Sequence, residues 1–160
     1  TPFYTFFNMR YYTHLAFSFL LGILLIDYLA ISNQILFIVL FLMFSLLPDI
    51  DEVNSKISKG VKPLSWLIKF FLGHRGLVHS IWIPIVLYLI LFLVRMDIAI
   101  AASFGYLNHL ILDCFTKEGV KLLWPYKKRL KGFIRVGSWI EYLIFVGLLI
   151  LDVYLLVRLT

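Results

Sequence analysis

Residues 11–31 form an apolar run whose only acidic or basic side chains are His14 and Asp27. As a helix rising 1.5 Å per residue, a run of this length crosses a hydrocarbon core of ~30 Å. Four more apolar runs follow, at 34–47, 76–94, 98–115 and 138–157. The second is short and stops at Pro48, so its last turn is expected to come from the Pro48-Asp49 region. A further run at 64–72, carrying Trp66, is too short to span and reads as an interfacial or re-entrant helix. With 62% hydrophobic residues, the chain lies outside the range of soluble domains. The expected fold is all-α: a polytopic membrane protein of about five transmembrane helices plus the short helix at 64–72. No Pro/Gly/Ser-rich linker separates two cores, so residues 1–160 are expected to form a single helical membrane domain.

Five crossings place the N-terminus, the 49–75 loop and the 117–135 loop on one side. That side carries Arg10, five cations of the first loop and seven of the second, which is 13 of the 15 Lys and Arg residues. Only Arg95 and Arg158 lie opposite, so the positive-inside bias assigns the crowded side to the cytoplasm of an inner membrane, N-terminus in. The net charge of +6 is thereby explained by topology, and nucleic acid is not an expected partner. No cleavable signal peptide is expected, because the first apolar run is long and no small-residue cleavage site follows it. Met9-Arg10 resembles a natural start, which would leave residues 1–8 as an extension or an alternative N-terminus. The lone Cys114 permits no internal disulfide and no thiolate cluster.

All four histidines, His14, His74, His79 and His109, fall at that same membrane level, together with Asp49, Asp51, Asp113 and Glu141. Ionisable groups at a bilayer edge are costly unless paired or coordinated, and His with carboxylate is a metal-binding combination. His109 and Asp113 are i and i+4, so one helix face carries both; His109 sits roughly 10 Å in from the helix end. Asp49 and Asp51 flank one residue and in a turn can face one cation. Bland alternatives stand beside these: His14 as an interfacial histidine, His74 and His79 as helix-start residues, and Glu141 as the partner of Ser138 in a capping box.

Taken together, Thr13-His14, Leu47-Pro48-Asp49-Ile50-Asp51, His74-Arg75-Gly76, His79-Ser80, Gly105-Tyr106 with His109 and Asp113, Trp124-Pro125 and Gly137-Ser138 to Glu141 resemble the YdjM-type membrane-bound, metal-dependent hydrolases. The resemblance covers nearly the whole chain. Val78 stands where that family more often has a threonine. It implies a helical membrane hydrolase whose His and Asp residues bind metal. A more distant similarity is to zinc-dependent phospholipase C, a helical enzyme with a polymetal site and a His-x-x-x-Asp pair. That similarity implies phosphoester hydrolysis, with Glu141 standing where that family has its last carboxylate ligand. This chain has one such pair and lacks the later histidines, so one or two metal ions are expected rather than three.

The expected function is metal-dependent hydrolysis of a lipid or lipid-linked phosphoester at the cytoplasmic face, with anionic or phosphate-bearing membrane lipids as partners. His14, Asp49, His74, His79, His109 and Asp113 are the candidate ligands of one or two divalent ions, zinc first, with Mn, Fe or Ca as alternatives. Asp51 and Glu141 are candidates for general base, and Arg75 for a bidentate clamp on phosphate. Lys127, Lys128, Arg129 and Lys131 would attract anionic headgroups. Membrane phosphatases with a histidine nucleophile also use a His-x-x-x-Asp, but the Ser-Arg pair they need before it is absent before His109. Two readings from other classes remain: a metal or proton transporter, and a lipid-binding protein in which metal only staples the helices.

Overall fold

The computed structural model describes residues 10–51 and 77–159, without the side chains of Arg10, Ile50, Asp51 and Leu159. The expected helix at 64–72, the candidate residues His74 and Arg75, the side chain of Asp51 and residues 1–8 lie outside what is described. Among the described residues the protein is all-helical, with five α-helices: α1 (Arg10–Tyr28), α2 (Gln34–Leu46), α3 (Trp82–Phe92), α4 (Met96–Phe115) and α5 (Trp139–Leu159). Short 3-10 helices cover Leu47–Asp51 and Leu77–His79.

Local chemistry sets the helix ends. Asn33 caps α2 by accepting the Leu36 N–H at 3.1 Å. At the other end Pro48 has no N–H to continue the ladder, and the chain tightens into the 3-10 turn that carries Asp49. At the start of α5, Glu141 N–H donates to Ser138 Oγ at 3.4 Å while its carboxylate accepts the Gly137 N–H at 2.6 Å. That is a capping box shifted by one residue, and Gly137, at φ +73, supplies the turn that allows it.

Three helices, α1, α4 and α5, are long and apolar enough to cross a membrane; α2 and α3 are shorter. At 1.5 Å per residue the 11 residues of α3 extend about 16 Å, half the length expected for the run at 76–94. Pro84 explains the difference. Its ring excludes an i to i−4 bond to Ser80, so a proline is tolerated only in the first turn, and α3 begins at Trp82. The freed residues turn separately: Ser80 donates from both N–H and Oγ to the Leu77 carbonyl, and Ile81 N–H bonds the Leu122 carbonyl at 2.9 Å. This break turns His79 into the protein, where it is buried.

The central helix is α4. It packs against α2 and α3 and touches α1, while α1 lies between α2 and α5. Between helices in lipid, close van der Waals fit replaces the hydrophobic drive, and small residues permit it. On α4 these are Ala99, Ala101, Ala102 and Gly105, all buried. A Cβ on Gly105 would run into the Phe41 carbonyl oxygen, so glycine is what lets α4 lie against the α2 backbone. Phe37, Phe41, Ile100 and Ala101 make the core beside that contact.

The 117–135 connection is folded onto the same end of the bundle. Val120 and Leu130 exchange N–H···O bonds at 3.0 and 2.9 Å, and Ile134 N–H donates to the Phe115 carbonyl at 3.0 Å. Trp82 Nε1 then reaches the Trp124 carbonyl at 2.7 Å. The start of α3, next to His79, is thereby tied to this basic loop.

Candidate metal centre

The up-and-down course of the helices brings the start of α1, the end of α2, the residues before α3 and the end of α4 to one end of the bundle. Five side chains converge there: His14, Asp49, His79, His109 and Asp113, all buried, with His109 at 0% exposure. Asp113 is the hub. Its Oδ1 lies 3.5 Å from His14 Nε2, and its Oδ2 lies 3.7 Å from His79 Nε2 and 3.6 Å from His109 Nε2. Asp49 Oδ1 is also 3.6 Å from His109 Nε2. The His14 ring stacks on that of His109, with centroids 4.1 Å apart and planes 14° from parallel.

These spacings test whether a cation fits. Nitrogen–oxygen pairs at 3.5–3.7 Å are at or beyond the limit of a hydrogen bond. Two ligands on one tetrahedral zinc with bonds of 2.0–2.1 Å would stand roughly 3.4 Å apart. His109 sharpens the point. Its Nδ1 lies 2.7 Å from the Ser45 carbonyl, and a carbonyl can only accept, so Nδ1 carries the proton. In a neutral ring Nε2 is then a lone pair, buried, facing two carboxylates and without a hydrogen-bond partner among the described residues. Lone pairs and carboxylate oxygens repel unless a positive charge sits among them. The donors form two overlapping triads, His14 with His109 and Asp113, and Asp49 with His79 and His109. The residues therefore fit one divalent ion, or two bridged by the Asp113 carboxylate, with Oδ1 toward His14 and Oδ2 toward His79 and His109; His109, common to both triads, has one lone pair and serves a single ion.

A polar layer lies one turn deeper. Ser18 is four residues past His14 and Ser45 four before Asp49, and their hydroxyls meet at 2.5 Å. Asn108 donates to Ser18 at 2.6 Å. On the α3 side the Tyr106 hydroxyl donates to the Val78 carbonyl at 2.5 Å, holding the backbone next to His79. Ser18, Ser45 and Asn108 were not singled out from the sequence, although the i±4 spacing of each serine from a candidate ligand was a readable signal; Tyr106 stood there only as part of the family motif. Carboxylates and imidazoles at metal sites depend on such partners for orientation.

Of the residues picked from sequence, His14, Asp49, His79, His109 and Asp113 are brought together. Glu141 is buried nearby but outside both triads; its Oε1 accepts from Thr13 Oγ1 at 3.4 Å, the neighbour of His14, and its Oε2 caps α5. Asp51 has its backbone at the end of the 3-10 turn two residues past Asp49.

Residues 9–159 match the family described as YdjM inner membrane protein. An uncharacterized Bacillus subtilis protein, YvsG, is 32% identical over 114 residues, covering 69% of this chain and 71% of that protein. The inner membrane protein YdjM of Escherichia coli is 32% identical over 120 residues, covering 69% of this chain and 61% of its own length. No solved structure matches the chain. With the match running across all five helices, the chain belongs to the YdjM inner membrane protein family.

Proposed function

We propose that this protein is a membrane-embedded hydrolase that uses one or two divalent ions, zinc first, to cleave a lipid or lipid-linked phosphoester at the cytoplasmic face. The observation that carries this reading is the unpartnered His109 Nε2 between Asp49 and Asp113, a donor set that is stable only around positive charge. A bound divalent ion supplies Lewis acidity and brings the pKa of water toward neutrality. His14, Asp49, His79, His109 and Asp113 hold it, with His74 as a further ligand. The Ser45 carbonyl keeps His109 in the tautomer that offers Nε2 inward.

Asp51 takes the proton from the attacking water, and Arg75 grips two phosphate oxygens. Glu141 ties the start of α5 to Thr13 and so steadies His14. Lys127, Lys128, Arg129 and Lys131 draw anionic lipid to the same end. In the sequence, 13 of the 15 cations fall before the first crossing or in the 49–75 and 117–135 loops, and that bias supports the cytoplasmic assignment. A transport function finds less support: below the serine layer α4 continues through buried Ser103 and then Ala102, Ala101, Ile100 and Ala99, so one hydroxyl is the only ligand side chain these positions offer an ion.

Release of phosphate or headgroup from lipid phosphoesters in nanodiscs tests the reading. Turnover is expected to disappear with a chelator, return with Zn or Mn, and be lost in Asp113→Asn. Metal-loaded protein that turns over no lipid phosphoester, yet moves ions into sealed vesicles, would put transport first.

A further inference from the structure

A groove of about 540 Å³ runs along the bundle between α3, α4 and the far end of α1. Leu25, Ile81, Ile85, Ile100 and Leu107 are among its apolar walls, and Ser103 also lines it. The α4 contributors follow one helix face from Ile100 to Leu107, about 10 Å of axial length. Its direction matters. At one end Ile81 is two residues from His79, and Leu107 is two residues from His109; at the other end it reaches Leu25, near the end of α1 away from the metal centre. The groove therefore descends into the membrane from the level of the histidines.

Ser103 gives the groove a chemical mark. It is 5% exposed, and its Oγ has no hydrogen-bond partner among the described residues, whereas Ser18, Ser45 and Ser80 are all bonded. A hydroxyl without a partner at membrane depth is costly. Its oxygen is covered in this conformation while the residue itself lines the groove, so contact with a bound molecule requires rotation about χ1 to another staggered well. Ser103 lies six residues before His109, about 9 Å along α4, a gap that an extended glycerol phosphate ester closes together with a metal–oxygen contact at one end and a hydrogen bond at the other.

We propose that the groove holds one acyl chain of an ester-linked phospholipid, with its ester oxygen at Ser103 and its phosphate at the metal centre. The substrate class named here rests on the hydrolase reading given above; the lipid site itself does not. The volume suits a single hydrocarbon chain, and the apolar walls with one polar group match the usual make-up of small-molecule sites. An isoprenyl phosphate has no oxygen to meet Ser103.

Photo-crosslinking in nanodiscs tests this, with phosphatidic acid carrying a diazirine in one acyl chain and an isoprenyl phosphate carrying the same group. The acyl probe is expected to label peptides spanning 81–89 and 100–107 in preference to the exposed face of α5. Ile85→Trp, which fills the groove, should cut that labelling about tenfold, with Leu89→Trp as a second filler and metal content as the check on folding. Ser103→Ala should erase the preference for the acyl over the isoprenyl probe. Even labelling of all lipid-facing helices, equal labelling by the isoprenyl probe, or no effect of Ser103→Ala overturns the proposal. Metal content and turnover of phosphatidic acid are measured alongside. Groove labelling without either removes the hydrolase reading and keeps the lipid site; turnover without groove labelling does the opposite.

Discussion

His109 on α4 donates its Nδ1 proton to the Ser45 carbonyl of α2, and this one bond decides what its other nitrogen can do. Nε2 is left as a lone pair 3.6 Å from both Asp49 and Asp113. Because the acceptor is backbone, Ser45→Ala preserves it and removes only the hydroxyl that meets Ser18. That variant should keep its full metal content while losing about 1 kcal/mol of stability, read as the unfolding midpoint in detergent. Metal loss in Ser45→Ala would mean that the serine layer, not the carbonyl, holds the histidine.

Tyr106 supports the centre from the other flank. Its hydroxyl fixes the Val78 carbonyl beside His79, and Tyr106→Phe removes the donor at nearly constant volume. Metal affinity should fall about 10- to 100-fold, the usual effect of deleting an outer partner of a metal ligand. Competition against a fluorescent chelator measures it, and unchanged affinity would show that the Val78 contact does not position His79.

Gly105 lies at a close approach of α4 to α2. An added Cβ would meet the Phe41 carbonyl oxygen and lie 3.2 Å from Phe41 Cα. Gly105→Ala must part α4, which carries His109, from α2, which leads into the turn that carries Asp49. A loss of about 1–3 kcal/mol is expected, with weaker metal binding. Gly147→Ala, where a Cβ meets nothing within 4 Å, is the matched control and should be neutral or stabilising by up to about 1 kcal/mol.

Glu141 separates capping from chemistry. Glu141→Ala removes the acceptor for Gly137 and Thr13 and should cost about 1 kcal/mol; metal content under saturating ion stays unchanged, since the residue lies outside both donor triads, while affinity falls as His14 loses its support. Glu141→Gln keeps an acceptor at the cap. If turnover collapses in Glu141→Gln at constant metal and stability, the carboxylate moves a proton, and its role extends beyond steadying His14.

The donors were legible in the sequence for a physical reason: His and Asp stand out in apolar helices because lipid tolerates them only when paired. Alternating helix direction then placed His14, Asp49, His109 and Asp113 at one level without any knowledge of packing. The shortness of α3 was less visible, because the hydrophobic run at 76–94 continues straight through Pro84, and only the missing N–H reveals the break. Ser18, Ser45 and Asn108 were weakly marked for another reason: the serines keep i±4 spacing to candidate ligands, but in an apolar helix small polar residues read as ordinary packing until their partners on neighbouring helices are known. The role of Ser45 rests on a carbonyl, a group every residue has, so no side-chain pattern could announce it.

Elemental analysis of the protein purified without chelator, beside His109→Ala and Asp113→Ala, decides whether the His and Asp cluster holds a metal ion. One or two equivalents of a divalent metal per chain in the parent, falling to background in both variants while each remains folded, is the result the geometry predicts. A parent protein that carries no divalent metal, and whose unfolding midpoint is the same with and without a chelator, would contradict it.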